Sequence, residues 1–198
     1  MRRRLVLVGL TGLGGCSVLP QTPYVQRREW PLDVRRPTTA VAPKQARVLL
    51  VRAVRAGPGL GDRGLRWLLP DGSVQVDFYE QWAVPPAEAV EDDTRRWLAD
   101  AGLFSAVVAT GSRLTAEYVL EGELLTFVAD RNAGVARVAL ALVLIDQRPN
   151  PIKVLLQKTE TAEVKLANND PPAMAEAMRA AIAEVLRRSE ADIASAIR

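Results

Sequence analysis

Two Pro-Pro pairs, Pro85-Pro86 and Pro171-Pro172, constrain this chain more than any other feature. Proline lacks an amide hydrogen and has a fixed φ. It therefore interrupts a strand and is excluded from a helix interior, but it suits a helix's first turn. Apolar residues at helical spacing follow each pair. In the stretch from 87 to 101, Val90, Thr94, Trp97, Leu98 and Ala101 share one face, with Glu91, Asp92, Arg95 and Arg96 elsewhere. Gly102 then offers a residue suited to the position just past a helix end. After the second pair, Met174, Met178, Ile182, Val185, Leu186, Ile193 and Ile197 form a longer stripe. The two methionines read as core rather than as a binding groove, because Met commonly fills gaps under a sheet.

The other patterned segments read as strands. Residues 47–54 are rich in Val and Leu and end at Gly57-Pro58-Gly59, a strong break. Residues 65–69 and 74–78 flank Pro70-Asp71-Gly72-Ser73, where Pro presets φ and Gly accepts a positive φ, so they predict a hairpin. A short strand is expected over 104–109 and an alternating one over 118–128. The run 135–145 is almost wholly apolar and reads as a central strand, and 152–166 returns beside it. The expected fold class is α/β in the α+β sense. It is a single domain with a mixed, largely antiparallel sheet and two helices packed on one face, so that both apolar stripes are buried together.

The first forty-five residues follow another logic. Arg2, Arg3 and Arg4 precede a nine-residue, mostly apolar run from Leu5 to Leu13. As a helix that run would span roughly 14 Å, about half a bilayer core. It is too short to cross a membrane and suits a signal peptide. Leu13-Gly14-Gly15-Cys16 comes next, with the only cysteine of the chain. This order resembles a bacterial lipoprotein box, with cleavage between Gly15 and Cys16 and lipidation of the Cys16 thiol. The alternative for Cys16 is a buried thiol acting as a small hydrophobe. Two or three acyl chains anchor a protein stably where one does not. Ser17 follows the cysteine, and by the sorting rule known in enterobacterial lipoproteins it favours the outer membrane over the inner. Five prolines between 17 and 44 then predict an extended, irregular spacer, with Tyr24 and Trp30 as apolar exceptions able to dock on the domain or the membrane interface. The expected division is a signal peptide over 1–15, a lipidated tether over 16–45 and a folded domain over 46–198.

Catalytic chemistry is poorly supplied. The 198 residues include no histidine, which excludes a Ser-His-Asp triad, a Cys-His pair and a His-ligated metal. One cysteine excludes an intrachain disulfide and a Cys-rich zinc site. No metal or cofactor is expected. Gly57 to Gly61 lacks the spacing of a phosphate-binding loop and reads as a bend. Glu91, Asp92 and Asp93 read as acids near a helix start, where the dipole favours them. Glu121 and Glu123 share a strand face, so an acid/base pair is conceivable, but a solvated face accounts for them better. The net charge of +3 makes the chain mildly basic, which would suit an acidic partner. Removing residues 1–15 takes away three arginines and leaves 23 basic against 23 acidic residues, so the charge reflects targeting, and no nucleic-acid partner is expected.

One segment is more specific. Tyr79-Glu80-Gln81-Trp82-Ala83-Val84-Pro85-Pro86 is followed by a helix and then Leu103-Phe104. This resembles the YxxxWAxPP segment of the ABC-type transport auxiliary lipoproteins, the PqiC/YmbA-like family. Gly59 to Arg63 and Tyr118-Val-Leu-Glu-Gly-Glu-Leu124 are similar to further segments of that family, and Cys16 falls where its lipidated cysteine belongs. The spacer is longer than the family's, and Tyr24 corresponds only loosely to the tyrosine the family carries soon after the cysteine. Trp82 also has a purely structural reading, as a plug at the corner between strand and helix. The other is partner contact, with Tyr79, Pro85 and Pro86 in the same segment.

The resemblance implies a non-enzymatic lipoprotein facing the periplasm. It would serve an ABC permease and ATPase with an MCE-domain substrate-binding protein, moving lipids or other hydrophobic molecules across the envelope. Phospholipid contact and homo-oligomerisation are compatible with it. No ATP site is seen, so energy would come from the partner ATPase. Two other classes compete. One is an envelope-assembly scaffold that binds a protein or glycan without lipid cargo. The other, a periplasmic hydrolase using Glu121 and Glu123, is poorly supported.

Overall fold

The computed structural model describes residues 24–38, 41–42 and 46–198. Within them, eleven elements follow one another: β1 (Arg28–Trp30), β2 (Val48–Val51), β3 (Arg55–Ala56), β4 (Gly64–Leu68), β5 (Val74–Trp82), α1 (Pro86–Asp100), β6 (Ala106–Ala109), β7 (Tyr118–Asp130), β8 (Val135–Asp146), β9 (Lys153–Lys165) and α2 (Pro171–Ala196). Both Pro-Pro pairs start helices as expected. Pro85 is the N-cap of α1 and Pro86 its first residue. Pro171 and Pro172 open α2 behind Asp170, whose carboxylate accepts the Ala173 amide at 2.9 Å. That cap satisfies one of the helix's orphan donors.

The thirteen-residue β7 is the spine of a mixed sheet. One edge pairs antiparallel with β8 along its whole length, and β8 pairs antiparallel with β9. The other edge carries three short parallel strands in succession: β2 against 118–120, β3 against 123–124 and β4 against 129–130. Residues 47–54, expected as one strand, thus end at Val51. The chain steps at 52–54 and rejoins the same edge as β3. Gly57 follows because its backbone presses on β7. Its amide donates to the Leu124 carbonyl at 2.9 Å, and an added Cβ would meet that oxygen at 2.7 Å. The β4–β5 hairpin closes as expected.

Both helices lie on one face of the sheet and touch each other. Along β8 every second residue is buried, from Ala136 through Leu140 to Leu144, beneath Met174, Met178, Ile182 and Val185 of α2. The apolar character of β8 extends to its other face, where Ala139, Ala141, Val143 and Ile145 stay half-exposed and no helix among the described residues covers them.

Residues 28–34 depart from the expected irregular tether. β1 pairs in parallel with the end of β5, Arg28 opposite Glu80 and Trp30 opposite Trp82. Glu80 is 8% exposed and accepts hydrogen bonds from Arg28 Nε at 2.7 Å and Trp30 Nε1 at 2.8 Å. Leu32 and Val34 are buried in the same core as the helices. The alternation of exposed Pro31 and Asp33 with buried Leu32 and Val34 is strand-like, but it is too short to stand out among prolines.

Asp93 is the second departure. It is not in the first turn of α1, where only Glu88 sits, but in mid-helix, with no exposed surface. Burial pushes its carboxyl up to about 6, against the opposing pull of the Val34 amide and Arg96. A raised acid binds its proton more tightly folded than unfolded. Its effect on stability therefore becomes unfavourable as pH rises from about 4 to 6, by about 2–3 kcal/mol at pH 7. Asp93→Asn removes that slope. In urea unfolding, its stability relative to the parent should rise by that amount between pH 4 and pH 7; an unchanged difference would show that Asp93 carries no buried charge.

Candidate interaction surface

Three regions of the domain offer something to a partner: the uncovered face of the sheet, the Tyr118 end and the outer margin of β5.

On the uncovered face, a shallow groove of about 420 Å³ runs over Gly122, Ala141 and Val143, with Gln157 on the far side. Its near wall is two ion pairs. Arg52 Nη1 lies 2.6 Å from Glu121 and Arg55 Nη2 lies 2.8 Å from Glu123. The two carboxylates do share a face, as the spacing on a strand requires. Each is engaged by its own arginine, so together they form a row of alternating charge along a floor of small side chains.

At the end of the sheet where β7 begins, Tyr118 is buried against Phe104, with ring centroids 5.7 Å apart. Arg148 and Arg47 lie over its ring at 5.0 and 5.7 Å. The Tyr118 hydroxyl accepts from Arg148 at 3.0 Å and from Arg47. Hydrogen bonds from Arg148 hold the Asp146 carboxyl below its ordinary range. Arg148 is paired with Asp146 and both arginines converge on Tyr118, so the cluster closes the sheet end.

The margin of β5 is different. Between Arg66 opposite Val76 and Gly64 opposite Gln81, β5 carries three more residues than β4. This bulge re-aims Phe78 and Tyr79 outward. Their rings meet edge to face at 5.2 Å, 64% and 43% exposed. Gly64 is required opposite the bulge, since an added Cβ would fall 2.6 Å from the Asp77 carbonyl. Two residues past the bulge, Trp82 has no exposed surface and its ring lies 5.2 Å from that of Phe127. Its indole N–H has no acceptor among the described residues. Trp82 is therefore the corner plug, Pro85 and Pro86 turn the chain into α1, and Tyr79 is the outward-facing member of the segment.

The family model for the ABC-type transport auxiliary lipoprotein component matches residues 31–188. The chain belongs to this family. The match begins at Pro31, within the segment that packs into the domain. Among solved structures, protein XCC0632 from Xanthomonas campestris, a DUF330 protein, superposes with a TM-score of 0.73 at 22% identity, covering 85% of this chain and 96% of that one. The hypothetical protein CT253 from Chlamydia trachomatis gives 0.52 at 14% identity, covering 75% and 98%. A further protein, described as uncharacterized, gives 0.66 at 16% identity, covering 87% and 99%. Likeness at these identities shows a shared fold. No curated protein matches the sequence.

An auxiliary lipoprotein of an ABC-type transport system belongs to the cell envelope, and this assigns the chain a transport role. Gly15 and Cys16 lie outside the described residues. Among the described residues, no helix is long and apolar enough to cross a membrane, and no cluster of three or more acidic, cysteine or histidine side chains is placed to hold a metal.

Proposed function

We propose that this chain is a lipoprotein anchored through acyl chains on Cys16. It faces the periplasm, with the outer membrane favoured by Ser17, and acts as the auxiliary component of an MCE-type ABC system that moves lipids or other hydrophobic molecules. The observation that carries this reading is the family match over 31–188, joined to the order of arginines, apolar run, glycines and single cysteine ahead of it. The domain itself works by binding rather than by catalysis. It would dock the MCE-domain protein and its permease and ATPase at the membrane, and the ATPase would supply the energy.

Two measurements test it. Cys16→Ala should move the protein from the membrane to the soluble periplasmic fraction, with its circular dichroism and thermal midpoint unchanged. If it stays in the membrane after a carbonate wash, the anchor reading fails. Crosslinking in cells followed by mass spectrometry should recover a permease, an ATPase and an MCE-domain protein. Recovery of other envelope proteins without these three would favour the scaffold instead.

A further inference from the structure

We infer that the aromatic bulge of β5 is a membrane-contact surface, seated in the headgroup region of the bilayer that holds the Cys16 lipid. This rests on the proposed anchoring through Cys16 and adds to it the orientation of the domain.

The patch is apolar and open. Val74, Val76, Phe78 and Tyr79 are 47%, 41%, 64% and 43% exposed and follow one another along one strand margin. β4 occupies one edge of β5, while β1 covers the other only at 80–82. The margin from Val74 to Tyr79 is thus left without a neighbouring strand among the described residues. Contiguous exposed apolar surface of this kind marks an interaction site.

Chain geometry and charge identify the occupant. β1 runs parallel to β5, so the chain ahead of it is directed back along the open margin. The Arg27 guanidinium lies over the Phe78 ring at 4.5 Å, which places the start of the domain on the patch itself. Tyr24, 90% exposed, is eight residues from Cys16. Eight residues reach no more than about 28 Å at full extension. The far end of β7 and β8, at Tyr118 and Asp146, lies roughly 30 Å along the sheet from the bulge, which is level with Phe127, at 3.3 Å per residue. A lipid on Cys16 therefore holds this margin, rather than that end, next to the bilayer.

The chemistry also suits an anionic lipid surface. Tyr and Phe beside Arg form the kind of amphipathic group found at the membrane–water interface. The acids in the patch are already engaged. Asp77 accepts the Tyr79 and Glu80 amides at 2.7 and 3.0 Å, and Asp62 pairs with Arg66. Arg27 has no acidic partner among the described residues and is left to meet phosphate.

Phe78→Cys and Gln147→Cys, both at exposed positions, test the orientation in the full lipidated protein. With the Cys16 thiol taken up as a thioether, each variant has one free thiol for an environment-sensitive fluorophore. The labelled proteins are reconstituted in phosphatidylethanolamine–phosphatidylglycerol vesicles with and without brominated acyl chains, and flotation is scored on the same samples. The expected result is co-flotation of both variants, with quenching at position 78 several-fold stronger than at 147. Flotation with equal or weaker quenching at 78 would overturn the inference and leave the anchor standing; an oligomer or partner contact would then account for the patch. Failure to float would overturn the anchor, and the orientation built on it.

Discussion

Replacing Trp82 by alanine should unfold this domain at markedly lower denaturant, with a loss of about 3–5 kcal/mol in urea unfolding. The ring has no exposed surface, it packs on Phe127, and it sits where β5 turns into α1. Nothing nearby can collapse into the space without moving the Pro85-Pro86 corner. For a chain of this size the thermal midpoint should fall by roughly 10 °C or more. Trp82→Phe refills much of the volume and should recover most of the loss, because the indole N–H has no acceptor among the described residues to be missed. Tyr79→Ala, three residues earlier and 43% exposed, should stay within about 0.5 kcal/mol of the parent. A Trp82→Ala protein as stable as the Tyr79 variant would remove the structural account of the segment.

Glu190 is the second position with a large expected effect. Its carboxylate receives both ends of the Arg36 guanidinium at 3.0 Å and the Trp97 indole N–H at 2.7 Å. One side chain of α2 thus ties down α1 and the chain leading from β1. Burial tends to raise its pKa, but the bonds from Arg36 and Trp97 prevail and hold it below the ordinary glutamate range. Its contribution is therefore present at neutral pH and is lost as pH falls through that lowered value. Glu190→Ala deprives the buried Trp97 indole and the half-buried Arg36 guanidinium of this acceptor and should cost about 2–3 kcal/mol at pH 7. Hydrogen exchange should quicken first at residues 32–36, the segment that Arg36 fastens to α2. Glu190→Gln keeps an acceptor for the indole and should lie between the two. If Glu190→Ala leaves exchange over 32–36 unchanged, the carboxylate does not hold that segment.

The helices and long strands were legible because each rests on a repeating pattern. Pro-Pro followed by a 3.6-residue stripe leaves little choice at 86 or 171, and ten of the twelve residues of β8 are apolar. The resemblance carried by Tyr79 to Pro86 led to the family that the match over 31–188 establishes. Less was visible where long-range contact overrides local signal. β1 is three residues long and exists because Glu80, fifty-odd residues away, accepts Arg28 and Trp30. Pro31 and Pro37 around it pointed to irregular chain. Asp93 looked like one of three interchangeable acids; it is buried in mid-helix, where the Val34 amide, distant in sequence, reaches its carboxylate. Exposure of the β5 margin was equally hidden, since Val74, Val76 and Phe78 alternate like any half-buried strand. A signal for the bulge was available in the mismatch between the five-residue β4 and the nine-residue β5, but strand ends are among the least certain features of a sequence.

The parallel seating of β1 on β5 has a mechanical consequence. Tension transmitted through the N-terminal chain acts along the axis of β1, so the ladder from Arg28 to Trp30 is loaded in shear. Its hydrogen bonds and the Glu80 clamp must then give way together, whereas a hairpin pulled at its open end yields one bond at a time. A domain held by its N-terminus and tugged by a working transporter would resist at its first three paired residues, before any strain reached the sheet behind them.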